Sequence, residues 1–342
     1  MINGVPRILI IRLSAIGDVV RVLPALHALR VRFPNAQIDW AVEPKSLDVI
    51  SGHPMLDQCL IFERIGDRWT GFRRFLDFCR LVRRTRYDIV IDFHGIIKSG
   101  LIARASGAPD RYGFAAPRSR EWSSLFTNRR IRLESARMDR VAENLALCAA
   151  LDAHNEAVDT VIFVPEDVQE EVDAYFDAAF DGGKRVVIIH APVDRPEKQW
   201  PLEYYAALCD LLLADGRFEV LLTWGPGQRD IAESIRAKSR RKPETAPETP
   251  DLKHFAWMVQ RADCFFGGDT GPMHIASAMG TPVVAVFGGT DPVKHAPMRH
   301  PYEVLYAGPE NPPRRIPLED ARRYLRMVTP DAAYDACVRI CF

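Results

Sequence analysis

One pattern is written twice in this chain of 342 residues: an apolar run, a turn of glycine and small polar residues, then a helical periodicity. Residues 8–13 form an apolar stretch interrupted only by Arg12, which predicts a parallel strand buried on both faces. Ser14-Ala15-Ile16-Gly17-Asp18 follows as a turn, and Val19, Val20, Leu23, Leu26 and Leu29 then recur at helical spacing. Pro24 lies inside that spacing, so the helix either kinks there or starts anew near Leu23. Residues 37–42 and 88–92 read as further strands. The pattern restarts with a strand at 185–190, a helix at 202–215, a strand at 219–224, a helix at 231–238, a strand at 263–268, a helix at 273–279 and a strand at 281–287. Strands alternating with helices build parallel α/β sheets, so two Rossmann-like halves are expected, joined within 163–183. Residues 240–250 read as an exposed loop and 306–317 as a Pro-rich excursion. Residues 329–342 read as a closing helix.

Composition narrows the function classes. With 47% hydrophobic and 26% charged residues the chain has enough apolar surface to fold, which excludes disorder for its bulk. Its longest apolar runs, such as 282–287, fall far short of a bilayer span, and the N-terminal residues lack the pattern of a signal peptide. The seven cysteines (59, 79, 148, 209, 264, 337 and 341) have no framework spacing, which fits a reducing compartment. Cys337 and Cys341 read as small apolar residues on the terminal helix, since two thiols are half a zinc site. Net charge is zero but unevenly spread: residues 1–150 hold 24 basic and 15 acidic residues, the remainder 21 and 30. The basic half calls for an anionic partner, with a solvated basic surface as the alternative.

Four turns carry candidate chemistry. In the first, Asp18 stands near a helix N-terminus, where the dipole favours its anionic form and a carboxylate is able to serve as general base. A helix cap is the other reading, and on the local pattern alone it is favoured. The second is Gly267–Ala276 (GGDTGPMHIA), a strand end opening into a helix. Thr270 and Gly271 offer backbone N–H groups to a pyrophosphate, Asp269 is placed to accept from sugar hydroxyls, and His274 lies in the first helical turn. A well-capped helix with His274 a satisfied interior residue is the other reading, and the density of polar and glycine residues favours the ligand role. The third, residues 190–200, brings Lys198, which is either a point charge for a phosphate or a surface lysine. The fourth, Trp224-Gly225-Pro226-Gly227-Gln228, is a turn suited to flank a nucleotide base. Arginines cluster at 64–86 and 104–132, without any nucleic-acid fold signature. No Asp-x-Asp, which commonly signals a metal holding a nucleotide diphosphate, occurs in the chain.

At these residues the chain resembles a known family. ILIIRLSAIGDVVRVLPALHALR and GGDTGPMHIASAMGTPVVAVFGGTDP, with DFHGIIKSG and HAPVDRPEKQWP between them, are similar to motifs of the ADP-heptose:lipopolysaccharide heptosyltransferases. The resemblance implies an α/β GT-B fold, two Rossmann-like domains with parallel sheets facing across a cleft. The expected domains are 1–165 for the acceptor, 166–328 for the nucleotide sugar, and a closing helix at 329–342. It implies inverting, metal-independent transfer of heptose from ADP-L-glycero-D-manno-heptose to the Kdo or heptose of the lipopolysaccharide inner core, with no cofactor beyond that co-substrate. By resemblance Asp18 is the base, and Lys198, Asp269, Thr270, Gly271 and His274 hold the donor. Arg64, Arg68, Arg73, Arg74, Lys98 and Arg120 face the acceptor. The acceptor is then Kdo-lipid A, an anionic glycolipid, and the protein is cytoplasmic at the inner membrane surface, with no nucleic-acid partner. Residues 224–228 lack the acidic residue that contacts the donor nucleoside in some relatives. A relative using another nucleotide sugar or acceptor, or a non-catalytic sugar-nucleotide-binding module, shares the same motifs.

Overall fold

The computed structural model describes residues 5–63, 68–154, 162–180 and 182–342. The chain divides into two compact units, Met1–Phe163 and Val164–Phe342. In the first, strands β1 (Arg7–Ile11), β2 (Gln37–Val42), β3 (Gln58–Ile61), β4 (Ile89–Asp92), β5 (Asp110–Phe114) and β6 (Arg129–Ile131) alternate with helices. These are α1 (Ile16–Val20), α2 (Leu23–Arg32), α3 (Arg68–Thr85), α4 (Ile97–Ser106) and α5 (Arg140–Ala149). The second unit has β7 (Arg185–His190), β8 (Phe218–Thr223), β9 (Glu244–Thr245), β10 (Cys264–Gly268), β11 (Val283–Val286) and β12 (Tyr302–Leu305). Its helices are α6 (Glu166–Ala179), α7 (Leu202–Asp215), α8 (Arg229–Lys238), α9 (Leu252–Arg261), α10 (Gly271–Met279), α11 (Pro292–His295), α12 (Leu318–Met327) and α13 (Pro330–Cys341).

Each unit holds one six-stranded sheet, ordered β3-β2-β1-β4-β5-β6 in the first and β12-β11-β10-β7-β8-β9 in the second. The β1–β4 and β7–β10 pairs are parallel. Both sheets have the doubly wound order in which the chain reverses direction beside its first strand, opening a crevice at the carboxyl ends of β1 and β4, and of β7 and β10. The apolar runs are explained by burial: Ile8, Leu9, Ile10 and Ile11 are fully enclosed, as are Val187, Ile188 and Ile189.

The Pro24 alternatives resolve as a new start. α1 ends at Val20, and α2 begins at Leu23 with Pro24 in its first turn, where a missing N–H costs nothing. Thr329 caps α13, its hydroxyl accepting from Ala332 N–H at 3.2 Å. α13 packs onto α7 and the sheet through Ala333, Ala336 and Cys337. All seven cysteines are unbridged. One reading needs correction: the stretch 240–250 is not wholly loop, because β9 pairs with β8 there and Ala246 is buried. No helix among the described residues is long and apolar enough to cross a membrane.

Candidate active site

In the first unit the site grows from the switch point between β1 and β4. Beyond Ile11 the chain places Arg12, whose side chain is buried and donates from Nη1 to the Phe93 carbonyl at 3.0 Å. Its other terminal nitrogen donates to one oxygen of Asp18, while Arg21 Nη2 donates to the other at 2.6 Å. Arg21 is itself fixed through its carbonyl, which accepts from Asn144 Nδ2 at 2.9 Å, and through Nε, which donates to the Gly17 carbonyl at 3.2 Å. Asp18 is therefore not a cap. It is the third residue of α1, whose N-cap position is Ala15. Its side chain is 34% exposed, whereas those of Arg12 and Arg21 are 8% and 6% exposed. Two buried guanidiniums thus present an ionised carboxylate to solvent, the form a general base requires. Burial lowers the Arg12 pKa to about 10, against the pull of Asp18, and leaves it a cation at neutral pH.

β4 ends in Asp92, a carboxylate fully enclosed by its own turn. One oxygen accepts from the His94 and Gly95 amides, both at 3.0 Å, and the other from Ser99 Oγ at 2.9 Å. Burial raises its pKa to about 6 against those bonds. The turn aims His94 at β1, where Nδ1 accepts from the Leu13 amide at 3.3 Å, so a neutral ring carries its proton on Nε2. Burial, reinforced by Arg12, lowers the His94 pKa to about 3, and Asp18, Lys98 and Arg118 also act on it electrostatically. His94 is a site residue that sequence reasoning missed. Its signal was a histidine in a strand-end motif, DFHG. Arg12 left a comparable signal as the one charge in an apolar strand.

The sequence-derived acceptor residues fall in different places. Lys98 pairs with Glu43 at 3.3 Å and lies over the Phe62 ring at 5.3 Å. Arg120 is exposed, and its amide donates to the Gly95 carbonyl at 2.7 Å, which ties its loop to the His94 turn. Arg73 and Arg74 lie on the exposed face of α3, Arg74 paired with Glu63 at 2.6 Å. Arg68 is the first residue of α3, and Arg64 lies outside the described residues. Arg118, not singled out beforehand, pairs with buried Glu143 at 2.6 Å and covers the Phe114 ring.

In the second unit the switch point lies between β7 and β10. Asp269 leaves β10 with only 4% exposure, followed by Thr270 at the N-cap of α10. No side chain caps α10, and Pro272 stands in its first turn, so backbone N–H groups at this end remain for a ligand. Lys198 comes from the turn Pro196–Lys198. Its Nζ donates to the Asp269 carbonyl at 2.7 Å and lies 2.7 Å from the carboxylate. The close approach needs glycines: a Cβ on Gly289 would meet the Glu197 carbonyl at 2.8 Å, and one on Gly268 the Lys198 carbonyl at 3.3 Å. His274, buried, places Nε2 3.6 Å from the other Asp269 oxygen. Burial pushes the Asp269 carboxyl up, but His274, Lys198 and His295 together hold it well below the usual carboxylate range. Asp269 thus faces Lys198 and His274 within the protein.

The Trp224 turn is fixed from within the second unit. Trp224 is buried, and Nε1 donates to the Ala246 carbonyl at 2.9 Å, anchoring the segment after β9. A groove of about 530 Å³ adjoins the Lys198 turn, lined by residues that include Arg195, Pro196, Gln199, Glu203, Arg322 and Arg326; Lys198, Asp269 and His274 do not line it. Among the described residues no group of three or more His, Cys, Asp or Glu side chains is arranged to hold a metal ion.

Comparisons with known proteins bear on this arrangement. The sequence profile of glycosyltransferase family 9 (heptosyltransferase) matches residues 75–317. The chain is similar to the lipopolysaccharide core heptosyltransferase OpsX of Haemophilus influenzae, 24% identical over 305 residues, covering 88% of this chain and 84% of that one. Among solved structures, Escherichia coli ADP-heptose lps heptosyltransferase II superposes with a TM-score of 0.78 at 18% identity, covering 98% of each chain. E. coli heptosyltransferase WaaC with ADP gives 0.76 at 23% identity, covering 98% of this chain and 99% of that one. These likenesses bear out the expected α/β GT-B fold class.

Proposed function

The chain belongs to glycosyltransferase family 9, the heptosyltransferases, and from that premise we propose that it transfers heptose from ADP-L-glycero-D-manno-heptose to the Kdo or heptose of the lipopolysaccharide inner core. The observation that carries the donor half is Lys198 Nζ, 2.7 Å from Asp269, beside the uncapped N-terminus of α10. An ammonium and a row of backbone N–H groups suit a pyrophosphate, and they act where negative charge grows as it leaves. Asp269 and His274 hold that end of the site in register. The WaaC structures with ADP and with ADP-2-deoxy-2-fluoro heptose support an adenosine diphosphate donor by analogy.

The acceptor half rests on Asp18. In a single displacement the acceptor hydroxyl gives its proton to the Asp18 carboxylate while its oxygen bonds to the anomeric carbon. The bond from that carbon to the β-phosphate oxygen breaks, and ADP leaves with the electron pair. Inversion follows from one displacement. Arg12 and Arg21 keep Asp18 ionised and aimed, and His94, within electrostatic reach of Asp18, carries an N–H. The basic surplus of residues 1–150 suits an acceptor bearing Kdo carboxylates and lipid A phosphates, met at the cytoplasmic face of the inner membrane. Lys198 and α10 supply the positive charge that a metal ion supplies elsewhere.

Calorimetric titration with ADP, UDP and GDP in the presence of EDTA tests the donor half. Selective binding of ADP is the expected result. Preference for UDP or GDP overturns the heptose donor, and buried Trp224, with no acidic neighbour in its turn, is where the base preference is then to be sought.

A further inference from the structure

The first unit carries an apolar surface that its fold does not cover. Trp122 is 79% exposed and Leu125 62% exposed, in a loop whose backbone is left-handed at both Glu121 and Trp122. Across the seam lies α4, with Ile97 44% and Leu101 37% exposed. The seam is tight. The Ile97 amide donates to a Glu121 carboxylate oxygen at 3.3 Å, and a Cβ on Gly100 would meet the Ser123 carbonyl at 3.1 Å and the Phe126 ring at 2.9 Å. Ile97, Leu101 and Ala105 are spaced four apart and follow one face of α4. At Ala105 this face enters a groove of about 410 Å³ against α3, lined also by Leu76, Cys79, Arg80, Arg83 and Arg84.

We propose that this strip, centred on Trp122 and Leu125 with Ile97 and Leu101, is where the protein rests on an anionic lipid bilayer. The inference deepens the reading above and rests on it in one respect: a lipid-anchored acceptor is met at a bilayer. Three observations favour that occupant. Indole and leucine side chains standing in solvent beside cations are the composition of an interfacial anchor. Exposed Arg104, Arg120 and Arg130 accompany the strip, and the nearby acids are engaged, Glu121 by the Ile97 amide and Asp110 by Arg129 at 2.9 Å. A second copy of the chain seated here about a two-fold axis brings these arginines against one another, which an anionic lipid surface does not. The strip also adjoins the reacting half-site, because the Arg120 amide is bonded to Gly95 and Ile97 follows directly in the His94 turn.

The test is co-sedimentation of the full chain with phosphatidylcholine vesicles, with and without phosphatidylglycerol, at low and high salt. The native chain is expected to pellet with the phosphatidylglycerol vesicles at low salt and to be released by salt. The double variant Trp122→Ser, Leu125→Ser is expected to partition about tenfold less, with an unchanged melting temperature and unchanged turnover of a deacylated, water-soluble acceptor. Equal partitioning of variant and native chains overturns the proposal, as does absence of native binding. A native dimer broken by the same substitutions assigns the strip to a second copy and overturns it too. A fall in turnover of the deacylated acceptor assigns the strip to the acceptor sugar, with the same consequence. Vesicle binding without turnover of any heptose donor contradicts the transferase reading and leaves this one standing.

Discussion

Arg12 and Asp18, six residues apart at the end of one strand and the start of one helix, share a hydrogen bond whose arginine is also anchored to the Phe93 carbonyl at 3.0 Å. That anchor joins β1 to β4 at the switch point of the first unit, so the position of the carboxylate is set by the sheet and not by the short helix that bears it. With Arg21 on its second oxygen, Asp18 is held in one orientation and kept ionised.

If Asp18 takes the acceptor's proton, Asp18→Asn removes the base and leaves the second unit untouched. Turnover is expected to fall by about 10²–10⁴-fold, while ADP binds calorimetrically as it does to the native chain. Turnover within a few-fold of native contradicts the assignment.

Lys198→Met takes away a positive charge aimed at the departing diphosphate. The expected loss in turnover is about 10²–10³-fold, in the range seen when one preorganised donor is deleted, with weaker ADP binding as well. Loss of ADP affinity at unchanged turnover identifies Lys198 as a ground-state contact only.

In the proposed reaction His94, its Nδ1 accepting from the Leu13 amide, offers the acceptor a neutral N–H from Nε2. With its pKa lowered to about 3, it does not titrate in the assay range. His94→Gln retains a side-chain acceptor for the Leu13 amide and a donor, and is expected to keep most of the activity. His94→Ala is expected to lose roughly tenfold or more in turnover. The pH–rate profile of His94→Gln should parallel that of the native chain; a limb near pH 6 that is present in the native chain and lost in the variant shows instead that the imidazole titrates in the assay range.

Asp92 sets a pH signature on stability. Its carboxyl, raised by burial from 3.8 to about 6, binds its proton more tightly folded than unfolded. Its contribution to stability is complete below about pH 4 and lost as pH rises through about 6. Asp92→Asn keeps an oxygen for the His94 and Gly95 amides and has no such loss. Denaturant titrations are expected to show the variant gaining on the native chain between those limits, by at most about 3 kcal/mol. A constant difference across that range contradicts the buried, titrating carboxyl.

What the sequence disclosed follows from burial. Strands enclosed on both faces, such as Ile8–Ile11 and Val187–Ile189, are continuous apolar runs and were legible. The strands β3, β5, β6, β9 and β12 escaped notice because they are short and mix polar with apolar residues, as in Asp110–Phe114 and Arg129–Ile131. The glycine-rich turn before α10 showed where a diphosphate fits, but not that Asp269 turns inward. That depends on Lys198, 71 residues away in sequence. Local pattern favoured a cap for Asp18 because it cannot see Arg12 and Arg21 converge. Nor did the pattern show that the Trp224 indole is tied to the Ala246 carbonyl, 22 residues on.

The central claim is tested most directly by mass spectrometry of a Kdo-lipid A acceptor incubated with the purified chain and ADP-L-glycero-D-manno-heptose. The account predicts that the acceptor gains one heptosyl unit for each ADP released, and that Asp18→Asn slows the gain by about 10²–10⁴-fold. An acceptor left unmodified by ADP-heptose but glycosylated from a UDP- or GDP-linked sugar contradicts it.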